Sequence, residues 1–234
     1  MKRSTWLRPV EIARGRVARA RHRAIDKAFL AHATGVIHVG ANVGQERSLY
    51  ARYDLPVVWV EPIPEVFAVL RDNIERFPRQ IALEGLVTDR DDAVYRFHVA
   101  SNDGASSSIL DIARAHGEMW PEITFERSIS LTSATLPTLL NAHGLDATAY
   151  DALVLDTQGS ELLVLEGAKP MLPSLRYVKT EVADFEAYEG CCQLSDIASF
   201  MDSHGFSELS RSAFMTHSDT GTYYDVVYAR SDDD

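Results

Sequence analysis

The stretch Val36-Ile37-His38-Val39-Gly40-Ala41-Asn42-Val43-Gly44 decides the fold. Its first four residues, mostly apolar and β-branched, form a run of the length of a buried strand. The glycines after it end that run in a turn where backbone can approach a ligand closely. Residues 45–53 then read as a helix, and Val57-Val58-Trp59-Val60 is a second apolar run closing on Glu61-Pro62. Residues 66–77 have helical periodicity through Val66, Phe67, Leu70 and Ile74, stopped by Pro78, and residues 81–87 read as a third strand. Strand, helix, strand, helix, strand predicts right-handed crossovers in a mainly parallel sheet covered on both faces.

Working outward, residues 93–100 alternate, with Val94, Arg96 and His98 set against Tyr95, Phe97 and Val99. That pattern predicts an antiparallel, half-exposed strand. Residues 101–108 have loop chemistry, and Trp120-Pro121 interrupts the segment beyond them. Residues 128–132 and 136–143 read as an edge strand and a short helix. Parallel character returns in Ala152-Leu153-Val154-Leu155-Asp156, with Thr157-Gln158-Gly159 and a helix over 160–168 after it. Residues 177–182 form the next strand, residues 194–204 a helix closed by Gly205, and residues 206–209 with 223–228 a terminal antiparallel pair. One domain over residues 34–234 is expected, with a cap insertion at about 95–130 that sets substrate choice.

The 234 residues suffice to bury a core without a disulfide or metal staple. The net charge of −11 is uneven: residues 1–30 carry nine Lys or Arg against Glu11 and Asp26, leaving +7 there and −18 on the remainder. So acidic a body is not expected to grip nucleic acid through its phosphates. Residues 1–33 read as a basic helical leader, helical from about residue 10. The two cysteines, Cys191 and Cys192, are adjacent, which offers neither a loop-closing disulfide nor metal-ligand spacing. With no apolar run long enough to span a membrane and no secretory h-region, the expected location is the cytoplasm.

Ligands of open parallel sheets bind beyond the carboxyl ends of the strands, where strand order reverses. The turn over Gly40, Asn42 and Gly44 lies at such an end, and the helix after it is expected to offer N–H groups to a carboxylate. Its G-x-x-x-G spacing is not the G-x-G-x-x-G of dinucleotide binders. Glu61 ends the second strand, where an acid accepts both ribose hydroxyls of a nucleoside. Asp156 ends a later strand and points into the same crevice. Glu161, in the first helical turn beyond it, reads as a dipole-complementing acid. Glu181 adds a carboxylate to this rim, with Asp184 three residues on.

These stretches, with Val60-Glu61-Pro62-Ile63-Pro64, Ser106-Ser107-Ser108-Ile109-Leu110, the run from Leu155 through Gly159-Ser160-Glu161 to Gly167-Ala168, and Lys179-Thr180-Glu181-Val182, resemble the FkbM family of S-adenosylmethionine-dependent O-methyltransferases. The resemblance spans Val36 to about Phe206. It implies an α/β class I methyltransferase, a Rossmann-like sheet of seven mainly parallel strands whose last strand is antiparallel, and S-adenosyl-L-methionine as cofactor. Carried over by position, Gly40, Asn42 and Gly44 wrap the methionine portion, Glu61 the ribose, and Thr88 and Asp89 the adenine, while Asp156 sits by the amino group or the transferred methyl. Many family members carry Asp where this chain has His38, so a neutral imidazole hydrogen bond replaces a charged contact there.

The implied reaction is attack of a small-molecule hydroxyl, on a sugar or secondary metabolite, on the sulfonium methyl. Asp156 and Glu181 are the leading general-base candidates, ahead of His98 and His116. Ser107, Ser108, Trp120 and Tyr188 are the expected acceptor-binding residues; no catalytic metal is required by the spacing, and the assembly allowed for is a homodimer. Two rivals predict different observations. A nicotinamide-dependent oxidoreductase requires the missing dinucleotide fingerprint, and a catalytically silent scaffold would bind the cofactor without turnover.

Overall fold

A computed structural model of the chain describes residues 28–231. Along the chain these form β1 (Val36–Val39), α1 (Arg47–Arg52), β2 (Val57–Glu61), α2 (Pro64–Ile74), β3 (Gln80–Glu84), β4 (Leu86–Val87), β5 (Val94–Ala100), α3 (Arg114–Met119) and β6 (Phe125–Ala134). Next come α4 (Leu136–Ala142), β7 (Ala152–Leu155), α5 (Glu161–Gly167), β8 (Tyr177–Ala183), α6 (Leu194–Ser203), β9 (Phe206–His217) and β10 (Gly221–Arg230). Almost all of the basic leader lies outside the described residues. Its last part, Ala28–Ala31, is a short 3-10 turn that buries Phe29 and Leu30.

Seven strands form one sheet in the order β3-β2-β1-β7-β8-β10-β9. All neighbours are parallel except β10, which runs antiparallel to both β8 and β9. The order reverses between β1 and β7, so the carboxyl ends of these two strands share the crevice in which such sheets bind ligands.

Alternation along the central strands fills two cores. Ile37, Val39, Val58, Val60, Leu153 and Leu155 face one side and pack with Leu136, Leu140, Val164, Leu165, Ile197 and Met201 of α4, α5 and α6. Val36, Val57, Trp59, Ala152 and Val154 face the other and pack with Leu30, Tyr50, Leu70 and Ile74. Strands apolar on both faces must be covered on both, which explains the continuous β-branched runs.

Three elements differ from expectation. The third strand divides at Gly85: β3 stays in the large sheet, while β4 leaves it and pairs parallel with β6 in a second sheet of order β4-β6-β5. The expected short edge strand is the ten-residue β6, antiparallel to β5 from Val94↔Thr132 to Ala100↔Phe125. The terminal pair is also longer, because the mostly exposed β9 is held by its ladder with β10 and not by an apolar face. Among the described residues no helix is long and apolar enough to cross a membrane.

Candidate active site

The turn after β1 is built from left-handed backbone at Gly40 (φ 80°), Asn42 (φ 45°) and Gly44 (φ 71°). Glycine permits this conformation and Asn is among the side chains that tolerate it best. Its N–H groups are already occupied. Gly40 and Ala41 donate to the Val60 carbonyl, Gly44 to that of Ala41, Asn42 to Glu61 Oε2 at 2.8 Å, and Val43 to Asn42 Oδ1. The turn therefore keeps its own N–H groups for its own fold, and the N–H groups expected to meet a carboxylate are those of the helix after it. The turn supplies shape, and Gln45 and Glu46 beyond it face the cleft.

Glu61 is 4% exposed and accepts N–H bonds from Asn42 and, through Oε1 at 3.0 Å, from Ile63. Burial pushes its pKa up to about 7 against the pull of those two bonds. Each carboxylate oxygen retains acceptor capacity beyond its one N–H partner. His38 stacks on Trp59, with ring centroids 5.0 Å apart, and its Nδ1 shares a hydrogen bond with the Tyr50 hydroxyl at 3.0 Å. Burial lowers its pKa to about 4, so it is neutral at physiological pH.

After β7 the chain makes a second tight turn, with Gln158 at φ 53° and Gly159 at φ 97°. Glu161 clamps that turn: it accepts the Thr157 N–H at 2.9 Å, the Thr157 hydroxyl at 3.1 Å and the Gly159 N–H at 3.0 Å. The residue expected to complement a helix dipole thus folds the turn that carries Asp156. Burial lifts the Asp156 pKa to about 7, with the charges of Glu161 and Glu46 adding to the rise and a bond from Gln158 opposing it.

His38, Gly40, Asn42, Glu61 and Asp156 line one cleft of about 860 Å³, counted out to its open mouth. Ile63, Leu86, Val87 and Phe97 make its apolar side. That mixture of convergent polar groups and an apolar wall suits a small-molecule ligand. Gly44 lies behind this lining, with the side chain of Leu70 against it. Thr88 and Asp89 lie outside the cleft. Thr88 is fully buried, its hydroxyl donating to the Arg90 carbonyl, and Asp89 pairs with the Arg90 guanidinium. The chain leaves the large sheet at Gly85, so Gly85, Leu86 and Val87 reach the place expected of the next two residues.

Of the expected acceptor residues, Ser107 lines the cleft while its hydroxyl accepts the Ala100 N–H. Ser108 and Tyr188 both bond Gln158. Trp120 ends α3 and lines neither this cleft nor the smaller cavity beside it. That second cavity is bounded by Gln158, Glu161, Glu181, Tyr188, Cys191 and Tyr223. Glu181 faces it, its pKa raised well above the carboxylate range by burial and by the charges of Asp156 and Asp225. His98 bonds Ser128 and stacks on Phe125, whereas His116 bonds Tyr223; neither lines either of these two cavities. Asp184 accepts from the Thr222 N–H and the Tyr224 hydroxyl, a structural use. The apolar wall was not legible in the sequence, since Phe97 looks like ordinary strand alternation. Nor was Gln158, whose only signal is its place between Asp156 and Gly159.

Comparison with known proteins agrees with this geometry. Residues 38–208 match the model of the methyltransferase FkbM domain. The 2-O-methyltransferase NoeI of Sinorhizobium fredii is 27% identical over 175 residues, covering 72% of this chain and 71% of that protein. Among solved structures, the N-methyltransferase NodS from Bradyrhizobium japonicum WM9 is similar with a TM-score of 0.50 at 10% identity, over 92% of this chain and 96% of that one. The magnesium protoporphyrin IX methyltransferase ChlM from Synechocystis PCC 6803, with bound SAH, is similar with a TM-score of 0.50 at 8% identity, over 99% of this chain and 89% of that one. At such identities the two structures speak for the fold alone. With its family model matched across most of its length and its strand ends gathered around one cleft, this chain belongs to the FkbM family of methyltransferases.

Proposed function

We propose that the protein transfers a methyl group from S-adenosylmethionine to a hydroxyl oxygen of a small molecule, a sugar or another secondary metabolite. The observation that carries this reading is the convergence of two carboxyl groups from separate strand ends, the buried Glu61 and the half-buried Asp156, on one cleft with an apolar wall. Residues 34–234 are taken as the methyltransferase domain, residues 1–33 as its leader, and about 95–130 as the acceptor cap.

The residues present fit a cationic nucleoside. Glu61 has acceptor capacity for ribose hydroxyls beside its two N–H partners, and the slot between Ile63, Leu86, Val87 and Phe97 suits a flat base. Gly40 and Asn42 shape the end of the cleft where the amino-acid portion belongs, with the neutral His38 ring beside them. When bound, S-adenosylmethionine supplies an electrophilic methyl group on a sulfonium.

A hydroxyl acceptor must give up its proton, and a base works best with a pKa near the operating pH. Asp156, lifted to about 7, meets that requirement at the cleft, and Glu181 is the second candidate from the adjoining cavity. Ser107, on the wall of the cleft, and Tyr188, in the adjoining cavity, are the residues assigned to the acceptor side in this reading. Oxygen as the acceptor atom is supported by the name of the relative NoeI, a 2-O-methyltransferase.

The test is incubation with S-adenosylmethionine and a panel of hydroxyl-bearing small molecules, read by mass spectrometry of the products. Methyl ethers are expected. Methylation on nitrogen or on a carboxylate, or binding of S-adenosylhomocysteine without turnover across the panel, would overturn the reading.

A further inference from the structure

Gln158 stands with left-handed backbone at φ 53°, a conformation that strains a residue other than glycine. Glycine would occupy it without cost, so the side chain invites a reason. Its Nε2 donates to Asp156 Oδ1 at 2.5 Å, the one hydrogen bond made to that carboxylate's side-chain oxygens among the described residues. Its Oε1 accepts the Tyr188 hydroxyl at 2.8 Å, and its backbone carbonyl accepts the Ser108 hydroxyl at 2.8 Å. The Tyr188 hydroxyl also lies 3.2 Å from the Ser106 carbonyl.

This arrangement selects one orientation of the amide. A flipped carboxamide would turn its oxygen toward the ionised Asp156 carboxylate and lose that bond, while its NH₂ could still donate to the Tyr188 hydroxyl, whose proton has the Ser106 carbonyl as acceptor. The same carboxamide lines both the main cleft and the cavity that holds Glu181. It is therefore the partition between them.

We propose that Gln158 is the positioning residue of the methyl-transfer site: its carboxamide, held between Tyr188 and Asp156, favours the ionised form of that carboxylate and fixes its place, and ties it to cap residues 106–108 and to the loop after β8. The inference rests on the reading of Asp156 as proton acceptor. The charged groups around Asp156 are Glu46 from the β1–α1 turn, Glu61 at the end of β2, Glu161 at the start of α5, and Glu181 and Lys179 on β8. The four carboxyl groups favour a neutral Asp156. Lys179, which pairs with Asp225 at 2.6 Å, opposes them by its charge. Gln158 opposes them by direct contact.

The test follows the titration of the Asp156 carboxyl carbon by NMR in the free full-length protein, for the wild type and for Gln158→Met and Gln158→Gly. Glycine suits the left-handed backbone, so that variant stays folded even where methionine does not. Loss of a hydrogen bond to a charged group predicts about tenfold tighter proton binding by Asp156 in both. In turnover, the acidic limb of the kcat profile moves to higher pH, while S-adenosylhomocysteine affinity stays within about threefold. An Asp156 titration unmoved in the folded variants overturns the proposal, as does a shifted titration with an unmoved kcat profile. Failure of the wild type to bind S-adenosylhomocysteine at all counts instead against the methyltransfer reading, since the free-protein titration is independent of it.

Discussion

A Cβ built on Gly40 comes within 1.8 Å of the Asp156 backbone carbonyl oxygen, so the turns that end β1 and β7 meet through bare backbone. Gly40→Ala forces those turns apart as well as straining a left-handed residue. The expected destabilisation is about 4 kcal/mol, or a fall in Tm of roughly 10 °C. Thermal unfolding measures it, and an unchanged Tm would show that the two turns do not need this contact.

Glu61 carries a pH signature. Its pKa is about 7 in the folded protein against 4.5 for the ordinary group, so between these values the native state binds the additional proton. Its contribution to stability is full below about pH 4.5 and is lost as pH rises through 7, on the order of 3 kcal/mol for this group alone. His38, depressed to about 4, acts in the opposite sense, losing its contribution as pH falls from 6.5 toward 4. The two effects separate in the difference between wild type and Glu61→Gln, which removes only the first. Denaturant unfolding at pH 5 and pH 7.5 is expected to show the variant gaining on wild type at the higher pH; a constant difference would remove Glu61 as a titrating group. Glu61→Ala in turn weakens S-adenosylmethionine binding at least about tenfold, since ribose hydroxyls lose a charged acceptor, and unchanged affinity by calorimetry would sink its assignment.

Asp156→Asn keeps the shape of the side chain and removes the proton acceptor proposed for the reaction. Turnover is expected to fall by about 10²- to 10⁴-fold while S-adenosylhomocysteine affinity changes far less. A fully active variant would strike Asp156 from the catalytic residues.

Glu161 makes a prediction about folding. Glu161→Ala leaves the N–H groups of Thr157 and Gly159 without their buried acceptor, at a cost of about 3 kcal/mol. Chemical denaturation checks this, and a loss below about 0.5 kcal/mol would mean that the turn holds itself.

What was legible in the sequence is what burial on both faces imposes. β1, β2 and β7 announce themselves because central parallel strands need nearly continuous apolar runs, and Glu61 and Asp156 because they end such runs; β8 shows instead an alternation through Val178, Thr180 and Val182. β9 was foreshortened because pairing with β10 leaves little apolar pattern to read. Thr88 and Asp89 were set near the adenine by position from the family resemblance, yet the chain departs at Gly85 to join β6, a long-range pairing with no local mark. Glu161 has the position of a dipole-complementing acid, and only the left-handed backbone at Gln158 and Gly159 brings the N–H groups of its turn onto the carboxylate.

The placement of β10 between β8 and β9 sets a schedule for synthesis. On the ribosome β9 emerges first, with no strand yet present to join it to β8. Until residues 221–230 emerge, the β8 backbone from Tyr177 to Ala183 remains an open ladder, and Val226, Val227 and Tyr228, later buried, have not yet sealed it. Open ladders recruit strands from other chains. A nascent chain stalled before residue 221 is thus a seed for aggregation, and the speed at which the terminal hairpin closes governs how much protein reaches the native state.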